Sequence, residues 1–287
     1  MGRTPDYYRY NDGEWKLWVR HEKWTGELWR IVLQTIDQQS LSKHPQTVEL
    51  YPPDTGAHGG FFLKIFQGTS GPGALKDLFR ESKALRSMRQ AAALAKYDFN
   101  APVTIAAGEK RTCGFLRQAF VLTARVNGQS LPALLRQRYA LDAGTLALAE
   151  KREALQRLAA EVRRLHQLGF VHGDLVPTNV FVFRTPGERS QFVFMDNDRT
   201  RRYSNWLPQS LWRRNLVQLN RMPLAGITLQ DRMRFLRYYL GSTEWGRKER
   251  RLLSWLERKT RQRRYECDSV DSSGSFRQLM RWDGKLA

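Results

Sequence analysis

Two pieces of the chain decide how it is read: Val171-His-Gly-Asp-Leu-Val-Pro-Thr-Asn-Val-Phe-Val-Phe183 and Gln191-Phe-Val-Phe-Met-Asp-Asn-Asp-Arg-Thr200. Between Asn179 and Asp196 lie two apolar, β-favouring runs, 180–183 and 191–195, separated by the turn-rich Arg184-Thr-Pro-Gly-Glu-Arg-Ser190. That pattern predicts a hairpin. Asn179 enters its first strand and Asp196 leaves its second, so both are expected at the open end, opposite the turn. Asp174 precedes Asn179 by five residues, on the loop feeding that end. Two carboxylates and an amide are thus expected to converge within reach of one metal-bound ligand.

The rest of the chain bounds what such a cluster serves. With 287 residues, 41% of them apolar, and nine tryptophans, there is material for one large core or two modest lobes, and disorder is excluded. The net charge of +20 calls for an acidic partner: nucleic acid, an anionic membrane surface or a phosphorylated substrate. Cys113 and Cys267 have no paired spacing, which argues against a disulfide framework or a zinc site and fits a reducing cytosol. No signal-peptide pattern opens the sequence, and no apolar run approaches the roughly 20 residues of a membrane span. A soluble or peripheral protein is expected.

Upstream, tryptophans and aliphatics alternate with charges from Trp15 to Ile36, which reads as short strands. Runs 47–51 and 61–66 read as a hairpin with Lys64 among apolar neighbours. A helix is expected from about Gly73 to Leu94, with Glu81 inside its apolar stripe beside Leu78 and Leu85. A carboxylate there is costly unless paired, and Lys64 is the expected partner. Runs 101–107 and 115–123 read as strands. From Leu131 onward helices dominate: 142–168 capped by Gly169, then 206–220, then 228–240 opening on a capping-box-like Thr-Leu-Gln-Asp and closing at Gly241, then 244 to about 264. The last helix carries Arg247-Lys-Glu-Arg-Arg251 and Arg258-Lys-Thr-Arg-Gln-Arg-Arg264, a basic face suited to anionic lipid or simply to solvent. The expected architecture is α+β: a β-rich lobe with one main helix over residues 1–124, and a helical lobe over 125–287.

Phosphoryl transfer needs a metal on the phosphates, a cation beside them and a carboxylate orienting the attacking hydroxyl. Asp196 and Asn179 offer hard oxygen ligands suited to magnesium. Lys64 oriented by Glu81 offers the cation, and Asp174 the orienting base. His172-Gly-Asp174 with Asn179 resembles the HxDxxxxN catalytic loop of the protein-kinase-like fold, and Met195-Asp-Asn-Asp-Arg199 stands where that fold has its metal-binding DFG. More narrowly, Asp196-Asn-Asp-Arg199, Arg214-Asn-Leu-Val-Gln-Leu-Asn-Arg221 and Asp231-Arg-Met-Arg-Phe-Leu-Arg-Tyr-Tyr239 are similar to the Kdo/heptose lipopolysaccharide kinase family, over about residues 47–240.

The resemblance implies a bilobal protein-kinase-like fold. It also implies an ATP- and Mg2+-dependent kinase that phosphorylates a hydroxyl of an inner-core sugar, Kdo or heptose, of lipopolysaccharide. By it Asp174 is the base and Asn179 and Asp196 are magnesium ligands, with Asp198 as a possible third. Lys64 is the phosphate-binding lysine, Glu81 its partner, and Leu122 and Thr123 adjoin the nucleotide. His172 is a buried scaffold residue. The implied setting is cytoplasmic, peripheral on the inner face of a bacterial inner membrane, with a lipopolysaccharide core or related acidic glycolipid as partner and nucleic acid not expected. Three departures stand out. Gly173 replaces the arginine of protein kinases, so control by activation-loop phosphorylation is not expected. No GxGxxG precedes Lys64, which leaves Ser40–Gln46 as a weak candidate for the phosphate-covering loop. Asn197-Asp198 replaces Phe-Gly.

Rival readings remain. A kinase of this fold acting on a small hydroxylated metabolite or on protein would share every motif. A glycosyltransferase using Asp196-Asn-Asp198 as its DxD would leave Lys64, Glu81 and Asp174 without roles. A basic nucleic-acid-binding or scaffold protein would use only the last helix.

Overall fold

The computed structural model describes residues 7–39, 46–52, 59–68, 75, 78, 80–138, 145–183, 189–203, 209–222, 224, 226–242 and 244–270. The chain divides into two compact units, residues 1–127 with 194–199, and residues 128–193 with 200–287. The six residues that leave the predicted hairpin therefore fold with the first unit.

A six-stranded sheet organises the first unit, in the order β1-β2-β5-β6-β4-β3. Its strands are β1 (Tyr8–Asp12), β2 (Trp15–Val19), β3 (Gln46–Leu50), β4 (Phe61–Gln67), β5 (Thr104–Thr112) and β6 (Phe115–Ala124). All neighbours pair antiparallel. The expected hairpin of Lys64 is present, with Thr47 opposite Lys64.

Period-two alternation assigns each strand residue to a face. Trp15, Leu17, Leu63, Ile65, Phe120 and Leu122 form one buried cluster, and helix α1 (Gly26–Gln38) covers it with Leu28, Trp29, Val32 and Ile36. The stretch around 28–33 was expected as strand and is helix instead. Thr25 caps it by accepting from the Leu28 amide at 3.1 Å, and its buried residues recur at helical, not alternate, spacing. The first unit thus has a second helix that sequence reading missed. Gly108 makes this layer possible, because a β-carbon there would stand 2.4 Å from the Phe120 ring.

The other face carries Phe66, Ala107, Ala119 and Val121 against Ala84, Leu85 and Met88 of helix α2 (Lys83–Lys96). Lys64 shares the parity of Phe66 and so belongs to the α2 face. Leu122 belongs to the α1 face, wholly buried. Its side chain is core; Thr123, opposite Phe62, keeps the Lys64 face.

In the second unit, α4 (Thr145–Gln167), α5 (Gln209–Arg221), α6 (Leu229–Leu240) and α7 (Arg247–Val270) follow the four expected helices, and α3 (Leu131–Arg138) precedes them as a helix not expected from sequence. Helix α4 packs on α6, and α5 on α7. Thr228 and Asp231 form the anticipated capping box, with Asp serving where Glu or Gln is usual, and Gly241 ends α6 in the left-handed conformation. Two small sheets complete the unit. One has the order β10-β9-β7, from β7 (Gln129–Ser130), β9 (Val180–Phe183) and β10 (Gln191–Phe194); the other pairs β8 (Phe170–Val171) with β11 (Arg201–Arg202). The predicted hairpin strands are therefore hydrogen-bonded neighbours, while most of the turn, 184–188, lies outside the described residues. On α7, Leu252 and Leu256 are buried, and Arg247, Lys248, Arg250, Arg251, Arg258, Arg261 and Arg263 are exposed.

Candidate active site

The first unit holds an ion pair. Lys64 Nζ lies 2.5 Å from Asp196 Oδ1, a contact between residues 132 positions apart, with both side chains partly open to solvent at 26% and 34%. The Lys64 ammonium also stands 5.4 Å from the centre of the Phe66 ring. Asp196 follows β10 after Met195 and has φ of 55°, the left-handed region that Asn and Asp tolerate better than other side chains. Asn197, only 2% exposed, stabilises this turn by donating from Nδ2 to the Phe194 carbonyl at 2.8 Å. The 3-10 turn Asn197–Arg199 then packs on α2. An amide thus occupies the position that Phe holds in the DFG pattern, and it acts on the backbone.

Asp198 sits beside the pair. Burial first, and the Asp196 charge second, hold its carboxyl above the usual carboxylate range. A divalent cation near Asp196 and Asp198 would offset both effects. Hard oxygen donors of this kind suit magnesium. Among the described residues no group of three or more His, Cys, Asp or Glu side chains is gathered as a metal site.

Glu81 is where expectation and structure part. It lies before α2, whose cap is Ser82 accepting from the Leu85 amide at 3.3 Å. Its carboxylate pairs with Arg89 one helical face along, and Lys64 is taken by Asp196. The Lys64–Glu81 pair is not formed. The reason is the late helix start: the carboxylate lies outside the apolar stripe, at 37% exposure, and an exposed arginine satisfies it. The proposed phosphate-covering segment, Ser40–Gln46, lies outside the described residues except for Gln46.

The second unit holds the loop bearing Asp174. Asn179 Nδ2 donates to the Asp174 carbonyl at 3.0 Å and to its carboxylate Oδ2 at 3.4 Å, leaving the Asn179 amide oxygen as the acceptor for an incoming ligand. His172 is wholly buried, as a scaffold residue should be, and Thr200 donates to its carbonyl at 3.2 Å. The loop is also gripped by two residues not singled out from sequence. Asn215 Oδ1 accepts from the His172 amide at 3.1 Å, and Gln218 bonds to both Gly173 and Leu175. A signal for them exists in the sequence: two amides three apart, one helical turn, interrupting the apolar run Leu216, Val217 and Leu219.

His166 closes this network. Its Nε2 meets Asn215 Oδ1 at 3.2 Å and its Nδ1 meets the Tyr239 hydroxyl at 2.9 Å. Burial, partly opposed by the Asn215 bond, pushes its pKa down to about 4, so the ring is neutral near pH 7. With Oδ1 an acceptor only, Nε2 carries the proton and Nδ1 accepts from Tyr239.

Comparison with known proteins places these parts. The sequence pattern of the lipopolysaccharide kinase (Kdo/WaaP) family matches residues 57–239. No curated protein sequence matches the chain. Among solved structures, WaaP in complex with acyl carrier protein is similar at 19% identity and a TM-score of 0.57, covering 78% of this chain and 86% of that one. The Toxoplasma gondii rhoptry antigen kinase domain, at 14% identity, and the Mycobacterium tuberculosis PknI kinase domain, at 16%, give TM-scores of 0.35. They cover 62% and 72% of this chain, and 60% and 72% of their own. The fold is protein-kinase-like, and the family pattern runs over all of the residues described above, from Lys64 to Tyr239. The chain belongs to the lipopolysaccharide kinase (Kdo/WaaP) family, and is a phosphotransferase acting on a sugar hydroxyl.

Proposed function

We propose that the protein transfers the γ-phosphate of ATP to a hydroxyl of an inner-core sugar, Kdo or heptose, of lipopolysaccharide. The observation that carries this is the Lys64–Asp196 contact. It joins a cation suited to phosphate and a carboxylate suited to magnesium, although 132 residues separate them. In this reading Asp196 and Asn179, with Asp198, hold magnesium, which when bound would neutralise the developing phosphate charge. Lys64 steadies the phosphates, and Thr123 adjoins the nucleotide. Asp174 accepts a hydrogen bond from the sugar hydroxyl and takes its proton as the new P–O bond forms and the bond from the γ-phosphorus to the bridging oxygen breaks, releasing ADP.

The exposed cations of α7 support an anionic acceptor or membrane surface. No helix among the described residues is long and apolar enough to cross a membrane. The reading therefore places the protein peripherally on an anionic lipid face. A further partner is suggested within the second unit, where a pocket of about 110 Å³ is walled by residues including Leu131, Leu135, Leu158, Leu216, Leu236 and Leu256. An acyl chain fits such walls, and the similar WaaP structure was solved with acyl carrier protein.

The test incubates purified protein with labelled ATP, magnesium and intact lipopolysaccharide, its deacylated core, or free sugars, alongside Asp174→Ala and Asp196→Ala. Label is expected in the lipopolysaccharide core and absent with both variants. Transfer only to free metabolites or to protein would replace the acceptor, and equal transfer by all three proteins would overturn the roles. Adding acylated and unacylated carrier protein tests the pocket, since only the acylated form should raise the melting temperature.

A further inference from the structure

We propose that Gln218 is the positioning residue for Asp174: one side-chain amide clamps the peptide groups on both sides of that aspartate, in a register that depends on glycine at position 173. The inference rests on the reading of Asp174 as the base and goes beyond it to what sets its geometry.

Gln218 Nε2 donates to the Gly173 carbonyl at 2.9 Å, and Gln218 Oε1 accepts from the Leu175 amide at 3.3 Å. The first bond holds the peptide entering Asp174 and the second holds the peptide leaving it, so the backbone torsions of Asp174 are fixed from both ends. A side-chain amide suits this task because it carries a donor and an acceptor side by side. A carboxylate lacks the donor, and an ammonium or guanidinium lacks the acceptor.

The amide has one self-consistent orientation. Asn215, one helical turn earlier on α5 and wholly buried, spends its Oδ1 on the His172 amide and on His166, so its Nδ2 is the atom turned to Gln218 Oε1, at 2.9 Å. Reversing Gln218 would set its NH2 against the donors of Asn215 and Leu175 and its oxygen against the Gly173 carbonyl. Three bonds would be lost at once.

Gly173 completes the device. Its φ of 79° is the left-handed conformation, which costs glycine nothing and strains other residues. That turn belongs to the same short loop whose carbonyl meets Gln218. The glycine that stands in place of the protein-kinase arginine thereby acquires a positive role: it belongs to the clamp.

The experiment compares wild type, Gln218→Leu and Gln218→Glu by phosphate transfer to lipopolysaccharide, and by backbone amide exchange at Leu175. Gln218→Leu removes both bonds. Its kcat is expected to fall on the order of 10²-fold while KM for ATP stays within about twofold, as for a misplaced catalytic group. Exchange at Leu175 should accelerate, with the circular dichroism of the folded chain unchanged. Gln218→Glu keeps the acceptor and regains the donor only when protonated. Its kcat relative to wild type should therefore rise as the pH falls toward the carboxyl's titration range, a response that a packing defect would not produce. Wild-type kcat in Gln218→Leu, or a loss that tracks the folded fraction and affects KM equally, would overturn the clamp. Should wild type transfer no phosphate, the functional reading fails by itself. Leu175 exchange then still decides the clamp, which is refuted if Gln218→Leu leaves that exchange unchanged.

Discussion

Lys64 and Asp196 hold each other by opposite charge in surroundings partly open to water, whereas Asp174 is held through neutral amides, with Asn215, His166 and His172 fully or nearly fully buried. On the proposed reading, the contrast follows from what each region would do. A group that meets phosphate and metal must remain charged and exchangeable, so it stays where desolvation is modest. A group that only holds backbone geometry is best neutral, because buried charges cost several kcal/mol each unless matched, on the order given for ion pairs in protein interiors. The first unit is thus built to bind charge, and the second to fix geometry.

The sharpest way to break this comparison is Asp174→Ala. Loss of a general base should lower kcat by about 10²–10⁴-fold. Amide exchange at His172 and Leu175 should stay protected, because Asn215 and Gln218 grip the backbone and not the carboxylate. Deprotection together with lost activity would show that the carboxylate itself holds the loop.

Lys64→Met addresses the ionic side. Phosphate transfer should drop by about 10²–10³-fold, the range for removing one preorganised electrostatic donor. The melting temperature should change little, since a partly exposed ion pair contributes about 1 kcal/mol or less. A large thermal loss would mean that the pair is structural.

His166 sharpens the neutral side through pH. Its folded pKa of about 4 lies below its ordinary 6.5, so the unfolded chain takes up the proton first as pH falls. Its contribution is therefore complete above the ordinary value and is lost between there and about 4, amounting to roughly 3 kcal/mol. Urea unfolding across that window should show wild type losing more stability on acidification than His166→Gln does. Parallel curves would mean that the ring is not held neutral.

The smallest effect is expected at Glu81→Gln. Since Glu81 pairs with Arg89 at the surface, stability should change by about 1 kcal/mol or less, and kcat by less than about tenfold. A loss as large as that of Lys64→Met would show that the Lys64–Glu81 pair forms when nucleotide is bound, restoring the arrangement that the family resemblance implies.

Much of this was legible before any coordinates. The Asp174–Asn179 spacing, the hairpin strands 180–183 and 191–194, the Thr228 cap and the Gly241 stop are local patterns, carried by nearest-neighbour chemistry and by period. Asn215 and Gln218 left a fainter trace, two amides on an apolar helix face. Helix α1 was misread because tryptophans and aliphatics mixed with charges fit either period over a short window, and only the cap at Thr25 with the cluster beneath decides between them.

What the sequence determined by itself is the inventory and order of parts: a lysine strand, a catalytic loop with its asparagine, a hairpin ending in Asp-Asn-Asp, and a basic last helix. Only the tertiary structure decided the partners. Lys64 chose Asp196 over Glu81, Leu122 turned into the core, and Gln218 reached the peptides around Asp174 across 43 to 45 residues. Spacing along the chain controls local geometry because neighbouring residues share a backbone. Long-range pairing depends instead on which face of a strand or helix each side chain occupies and on where a helix begins. A one-residue change in strand parity, or a break before a new helix cap as at Ser82, reassigns the partner without altering the pattern that suggested it.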